Sequence, residues 1–332
     1  MSNAPATESN ASSSFLQLSD LTVEYTVEDN VFRALDGISL DVPRQGYTLG
    51  IVGESGSGKT TLGMSIMGMI QSPGKVVEGS IKFMGKDVLE MSGREMRNYR
   101  GPSVSMVYQS AMNSLNPVMN ILNHVVEVIR DHSKNISKSE ATERAKKLLT
   151  DVGIPEDRFS SYPHEFSGGM RQRVVIALAL ALNPKLLIAD EPTSALDVIV
   201  QQQILGLLKK HIVDRGLSLF FITHEIALTE GLVDNVAVMF AGEIVELGPS
   251  SKVLFSPFHP YSEELLGSLL NMESNLSTLD RLSAQNESLV PHDLTRACKF
   301  SVRCKYAFDR CRKERPLLRQ VEKDRWVACH KY

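Results

Sequence analysis

The stretch Gly53-Glu54-Ser55-Gly56-Ser57-Gly58-Lys59-Thr60-Thr61 constrains this chain more than any other. It follows an apolar run, Tyr47 to Val52, and precedes an amphipathic stretch, Leu62 to Ile70. Strand, glycine loop and helix, in that order, form the context in which G-x-x-x-x-G-K-[ST] cradles phosphates. Glycines let the backbone curl with its N–H groups turned inward, and the helix N-terminus behind them adds positive partial charge. Lys59 is placed to reach the β- and γ-phosphates, and the Thr60 hydroxyl to ligate Mg²⁺. A glycine-rich turn that binds nothing would need neither the lysine, nor the hydroxyl, nor both flanks. The chain is therefore expected to bind a nucleoside triphosphate.

At 332 residues there is room for one large domain with an appendage, or for two domains. A net charge of −3 gives no sign of nucleic acid as a main partner. The longest apolar run, Val174 to Leu182, is about half of what crosses a bilayer. Residues 1–14 are rich in Ser, Asn and Ala with no basic or apolar region, so a disordered tail is expected rather than a signal peptide. The chain is expected to stay in the cytosol.

Residues 15–27 and 31–42 read as strands joined at Asp29-Asn30, and 79–85 as a short strand and turn. Another strand, 103–108, ends at Gln109. Three helices follow, at 118–130, 137–152 and 168–182. Strands at 186–189, 218–223 and 236–240 then alternate with helices at about 198–214 and 225–232. Such alternation predicts a mainly parallel sheet with helices on both faces, interrupted by a helical insertion at about 110–182. Residues 271–290, polar and rich in Ser and Asn, read as a linker to a C-terminal piece, 291–332.

Leu186-Leu187-Ile188-Ala189-Asp190-Glu191 is an apolar strand ending in two acids, which places both where α/β sheets bind ligands. Asp190 is expected to hold Mg²⁺, directly or through water, and Glu191 to orient and deprotonate a water beside the γ-phosphate. In Phe166-Ser167-Gly168-Gly169-Met170-Arg171-Gln172-Arg173, Ser167 caps a strong helix former. The Gly-Gly pair costs helix stability but bares backbone N–H groups, making a second anion-binding helix end.

With these motifs in hand, the chain resembles the ATP-binding subunit of an ABC transporter. The resemblance covers residues 15–250 and implies a P-loop ABC ATPase fold: an α/β, RecA-like core with an antiparallel β subdomain and a helical subdomain. It further implies that Tyr25 stacks on adenine and that Gln109 touches Mg²⁺ and the attacking water. Ser167, Gly168 and Gly169 would contact the γ-phosphate held by an opposite subunit. Asp190 and Glu191 match the Walker B acids, Ser194-Ala195-Leu196-Asp197 the D-loop, and His224 the switch histidine. A lone His after an apolar strand is ordinarily structural; its place after the other motifs points to the γ-phosphate and Glu191 instead.

Ser110-Ala111-Met112-Asn113-Ser114-Leu115-Asn116-Pro117 is similar to the Q-D-P-x-x-S-L-N-P pattern of oligopeptide and dipeptide importers, departing at Ser110-Ala111. Tyr162-Pro163-His164-Glu165, Met170 and His259-Pro260-Tyr261 are also similar to that group, Met170 to the first of its two ATPases. Implied partners are a second ABC ATPase in a heterodimer, two transmembrane permease subunits and an external substrate-binding protein, with this subunit peripheral on the cytoplasmic face. All four cysteines fall at Cys298, Cys304, Cys311 and Cys329, in a piece similar to the C-terminal extension of those importers. In a reducing compartment such clustering points to metal, and four thiolates suit either an iron–sulfur cluster or Zn²⁺. The C-x-x-C knuckles usual for structural zinc are absent, and the resemblance, to importers that can carry a cluster, implies [4Fe–4S] ahead of zinc or bare thiols. Burial as small core residues is the plain alternative, weakened by the charge around them. An ABC ATPase of DNA repair or translation, and a nickel-importer ATPase, are the competing functions.

Overall fold

The computed structural model describes residues 14–28, 30–109, 114–133, 135–194, 196–272 and 296–332. The chain opens with strands β1 (Leu16–Val27), β2 (Asn30–Val42) and β3 (Thr48–Val52), then helix α1 (Lys59–Ile66). Strands β4 (Gly74–Phe83) and β5 (Lys86–Asp87), helix α2 (Gly93–Tyr99) and strand β6 (Val104–Val107) follow. Helices α3 (Ile121–His132), α4 (Lys138–Asp151) and α5 (Gly168–Leu180) occupy the stretch read as helical. Next come β7 (Leu186–Asp190), α6 (Val198–Arg215), β8 (Ser218–Thr223), β9 (Asn235–Phe240) and β10 (Glu243–Pro249). The described chain ends with α7 (Ser250–Phe255), α8 (Pro260–Met272), β11 (Arg319–Glu322) and β12 (Arg325–Val327). The expected tail up to residue 13, the expected linker from 273, Asp29, Ala195 and residues 110–113 lie outside the described residues.

The central sheet has the order β11-β12-β10-β9-β3-β8-β7-β6, with β9, β3, β8, β7 and β6 parallel. Its inner strands are apolar without a break because both faces are covered. Side chains alternate between two cores: Leu187, Ala189, Leu219 and Phe221 face helices α3 to α6, while Leu186, Ile188, Phe220 and Ile222 face the other way. On that second face lies a four-stranded antiparallel sheet, β2-β1-β4-β5, the expected β subdomain.

Several expectations are corrected at their ends. The helix after the glycine loop stops at Ile66, not Ile70, because Gly68 takes a left-handed φ of 62°. Nor is it amphipathic: Leu62 and Ile66 join the core that includes β1 and β2, and a side chain at Gly63 would strike Ile188 and Ile222 of the sheet. Of the expected helix at 225–232 only a 3₁₀ turn, Ile226–Thr229, forms, since Glu230 is extended and Gly231 left-handed. Helix α2 escaped the periodicity reading but announced itself by a capping box. Ser92 accepts from the Glu95 N–H, and the Glu95 carboxylate accepts from the Ser92 N–H.

The C-terminal piece shares the sheet of the core, because β12 pairs antiparallel with β10. Glu246 of β10 is wholly buried and accepts from the N–H groups of Phe258 and His259, both at 2.9 Å. Arg325 of β12, also buried, pairs with the same carboxylate at 3.1 Å and donates to the Ser256 carbonyl at 2.6 Å. A buried charge stripped of its partner is expensive. We expect Arg325→Ala to destabilise the chain by about 3 kcal/mol in urea unfolding; a loss under about 1 kcal/mol would mean the pair is dispensable.

Candidate nucleotide site

The glycine loop leaves the carboxyl end of β3 in the middle of the sheet, flanked by β8 and β9. Gly58 must be glycine: its φ is 101°, and a Cβ there would sit 2.4 Å from the Ala34 carbonyl. Lys59, only 5% exposed, donates to the carbonyls of Gly53 and Glu54 at 2.8 Å each and lies 3.4 Å from the Ser57 hydroxyl. Its ammonium thus spans the concave side of the loop. Burial pushes the Lys59 ammonium down, while Glu191, Asp190 and Glu54 pull the other way. Ser55 and Gly56 form the exposed tip, and the Thr61 carbonyl accepts from Ser65 within α1.

Asp190, at the end of β7, is 1% exposed, and among the described residues no donor but the nearby Thr60 hydroxyl acts on its carboxylate. Burial pushes its carboxyl up; the nearby Thr60 hydroxyl and Lys59 oppose that, and Glu191 adds to it. A buried carboxylate beside a threonine hydroxyl suits a hard cation that keeps several waters, so Thr60 and Asp190 fit Mg²⁺.

Glu191 follows in a left-handed conformation, φ 46°, which a non-glycine residue rarely adopts and which persists only where its surroundings hold it. The bend is pinned at both sides: the Glu191 N–H donates to the Ile222 carbonyl, and the Ser194 hydroxyl donates to the Glu191 carbonyl. Its carboxylate is held from two directions. Gln109 donates through Nε2 to Oε2 at 2.9 Å, and His224 Nδ1 lies 3.0 Å from Oε1. Gln109, Glu191 and His224, 115 residues apart at the extremes, therefore meet at one carboxylate.

The signature residues stand elsewhere. Ser167 caps α5, accepting from the Met170 N–H, and among the described residues no hydrogen bond or ion pair joins Ser167, Gly168 or Gly169 to the loop at 53–61. Gly169 has a packing reason beyond its bare N–H, since a Cβ would come within 2.4 Å of Val200 in α6. Asp197 caps α6 by accepting from the Val200 N–H, and just after it Val198 and Ile199 are 71% and 72% exposed. Tyr25 lies on β1 opposite Gly74, half-buried, its ring packed where a Gly74 side chain would be.

Cys298, Cys304, Cys311 and Cys329 line one small cavity, of about 20 Å³, with His259, Phe300 and Tyr306. Burial pushes the Cys298 thiol up to about 11 and raises Cys304 and Cys329 as well, each also feeling its neighbours. Among the described residues no three His, Cys, Asp or Glu side chains gather as they would round a single ion. A larger cavity, about 670 Å³, lies among residues such as Arg144, Lys147 and Arg215 and shares none with the glycine loop.

Sequence reasoning missed what supports the loop. The Glu54 N–H donates to the Tyr261 hydroxyl at 2.9 Å, and the Glu54 carboxylate takes two bonds from Arg303, at 2.9 and 2.8 Å. His259-Pro260-Tyr261 was visible as a motif; that its phenol ends on the glycine loop was not. Lys299 and Arg315 reach the core likewise, bridging Asp36 and Glu243. Burial pushes Asp36 up, but the hydrogen bond and charge of Lys299, with Arg315 and Arg33, leave its carboxyl below the usual range.

Two family models match the chain: "ABC transporter" over residues 35–194, and "Oligopeptide/dipeptide transporter, C-terminal region" over 245–311. The dipeptide transport ATP-binding protein DppD of Escherichia coli K12 is 42% identical over 319 residues, spanning 95% of this chain and 96% of that protein. The oligopeptide transport ATP-binding protein OppD of Bacillus subtilis 168 is 46% identical over 298 residues, 88% and 82% of the two chains. Among solved structures, the dimeric post-hydrolysis state of the ATP-binding cassette MJ0796, bound to ADP and Pi, superposes with a TM-score of 0.63. It is 29% identical and covers 71% of this chain and 98% of that one. The helical and antiparallel parts of the fold are those of an ABC cassette.

The contact at Gly169 generates a test of the α5–α6 junction. Gly169→Ala should cost about 1–3 kcal/mol through overpacking, and adding Val200→Ala should recover most of it. Urea unfolding of the two variants checks this; equal loss in both would show that Val200 is not the obstacle.

Proposed function

The chain belongs to the ABC transporter ATPases, among the ATP-binding subunits of oligopeptide and dipeptide transporters, and from that membership we propose how its residues divide the work. It is an ATP-hydrolysing, energy-coupling subunit of a peptide importer rather than an ABC ATPase of DNA repair or translation, or a nickel-importer ATPase. The observation that carries the catalytic assignment is the Glu191 carboxylate, bent into place and held between Gln109 and His224 beside Lys59 and Asp190.

ATP lies along the loop at 53–61, with Tyr25 against the adenine. Lys59 exchanges its two loop carbonyls for phosphate oxygens, an exchange favoured by the charge it meets. Thr60 and Asp190, with Gln109, would hold Mg²⁺, which when bound would neutralise charge on the phosphates. Glu191 takes a proton from the attacking water while Gln109 and His224 fix the direction of its oxygens. The site needs a second subunit: Ser167, Gly168 and Gly169 serve the nucleotide of the partner, and the exposed Val198 and Ile199 after Asp197 suit burial between the two ATPases. We take that partner to be a different ATPase, in a heterodimer. Closure of the pair drives two permease subunits, and an external binding protein delivers the peptide; this subunit sits on the cytoplasmic face. No helix among the described residues is long and apolar enough to cross a membrane.

For the four cysteines the reading is a [4Fe–4S] cluster acting as a structural staple. What supports it is four thiols lining one cavity. As it stands the cavity has room for about one water, less than a cluster needs. Residues 15–270 then form the nucleotide-binding unit, and 291–332 the extension.

Glu191→Gln should keep MgATP affinity and lower hydrolysis at least about 100-fold, since general-base catalysis supplies that order; near-normal turnover would remove Glu191 as the base. Iron and acid-labile sulfide, assayed on anaerobically purified protein, should come to about four of each per chain, and one zinc without iron would replace the cluster reading. Cys304→Ser should lower stability or yield without abolishing ATP binding, and unchanged stability would count against the staple.

A further inference from the structure

Glu54 is an awkward residue for a phosphate cradle. It is the second residue of the loop, near enough to Lys59 to pull its ammonium up, and a carboxylate there repels an incoming triphosphate. The structure answers that repulsion from outside the cassette core. Arg303 grips the Glu54 carboxylate with both Nη atoms, at 2.9 and 2.8 Å, and also pairs with Glu264. Its guanidinium lies 5.7 Å from the ring centres of Phe240 and Phe300 and 5.9 Å from that of Tyr261, so its plane is packed. The turn that carries it is tight: the N–H groups of Arg303 and Cys304 both donate to the Phe300 carbonyl at 3.0 Å. Tyr261, wholly buried, holds the Glu54 backbone from the same side by accepting its N–H.

We propose that Arg303 is a positioning residue of the nucleotide site that acts by charge: it neutralises Glu54, while Tyr261 holds the backbone of the first turn of the glycine loop. The inference rests on the nucleotide-site reading above and adds to it a requirement for the C-terminal extension. The extension is thereby a determinant of ATP affinity, reaching the phosphates through one carboxylate. Because Glu54 is 40% exposed and Arg303 25%, solvent screens the pair and the effect is moderate.

The test is MgATP binding to the full chain by titration calorimetry, with thermal unfolding alongside. Wild type that fails to bind MgATP overturns the nucleotide-site reading itself, so the two failures are distinct. With binding established, Arg303→Ala should weaken MgATP affinity about three- to tenfold, and more at low salt. Arg303→Lys should keep more of it than alanine does. The diagnostic variant is Arg303→Ala combined with Glu54→Gln, which removes the uncompensated charge and should restore affinity to within about twofold of wild type. A purely structural arginine would leave the double variant as weak as the single one, and that result, or unchanged affinity in Arg303→Ala, overturns the proposal. Should Arg303→Ala not fold, Glu54→Gln alone decides: affinity equal to or above wild type supports the proposal, and a clear loss overturns it.

Discussion

A single buried carboxylate decides how this chain is put together at its end. Glu246 leaves water completely, a step that would be prohibitive alone, and every partner it gathers comes from a different part of the chain. Two backbone N–H groups, from Phe258 and His259, fix the entry to α8, and Arg325 fixes β12. Where α8 starts determines where Tyr261 lies, two residues after His259, and Tyr261 determines where the backbone of Glu54 lies. The nucleotide loop is thus linked, through α8 and Tyr261, to an ion pair between β10 and β12.

A second set of constraints acts at the carboxyl ends of the parallel strands. The central sheet brings the ends of β3, β6, β7 and β8 side by side, so the glycine loop, Gln109, the two acids and His224 share one edge although the sequence scatters them. Within that edge the two acids are treated in opposite ways. Asp190 is buried with, among the described residues, no donor beyond the Thr60 hydroxyl, which suits a cation; Glu191 is supplied with two donors and a strained backbone, which suits aiming at a water. Adjacent carboxylates, one fold, two environments and two kinds of chemistry result.

Much of this was legible in the residues. The apolar runs of β3, β7 and β8 and the two glycine-marked helix starts located the sheet and both anion-binding helix ends, because burial on both faces and backbone N–H exposure leave strong local patterns. The helix at α1 was misread as amphipathic because it lies between two sheets, where both sides of a helix meet protein and polarity no longer marks a face. The short turn at 226–229 was overread because a four-residue 3₁₀ segment and the first turn of a helix share their local signals. Gly169 had a second purpose that only the approach of Val200 reveals. Least legible was the link from Arg303 to Glu54: a pair separated by 249 residues leaves no local trace, and its arginine was one of many basic residues round the cysteines.

The distance along the chain between those partners bears on how the protein is made. Residues 53–59 are synthesised early, whereas Tyr261 and Arg303 emerge from the ribosome more than two hundred residues later, and β12 later still. While the chain is growing, the glycine loop carries an unneutralised carboxylate and a backbone donor without its phenol. The core strands from β3 to β9 are complete at Phe240, before either Tyr261 or Arg303 has been made. A nascent subunit therefore has a cassette core before it has the complete frame of its phosphate loop, and a chain released short of its last tenth would be folded in its middle and unfinished at its beginning.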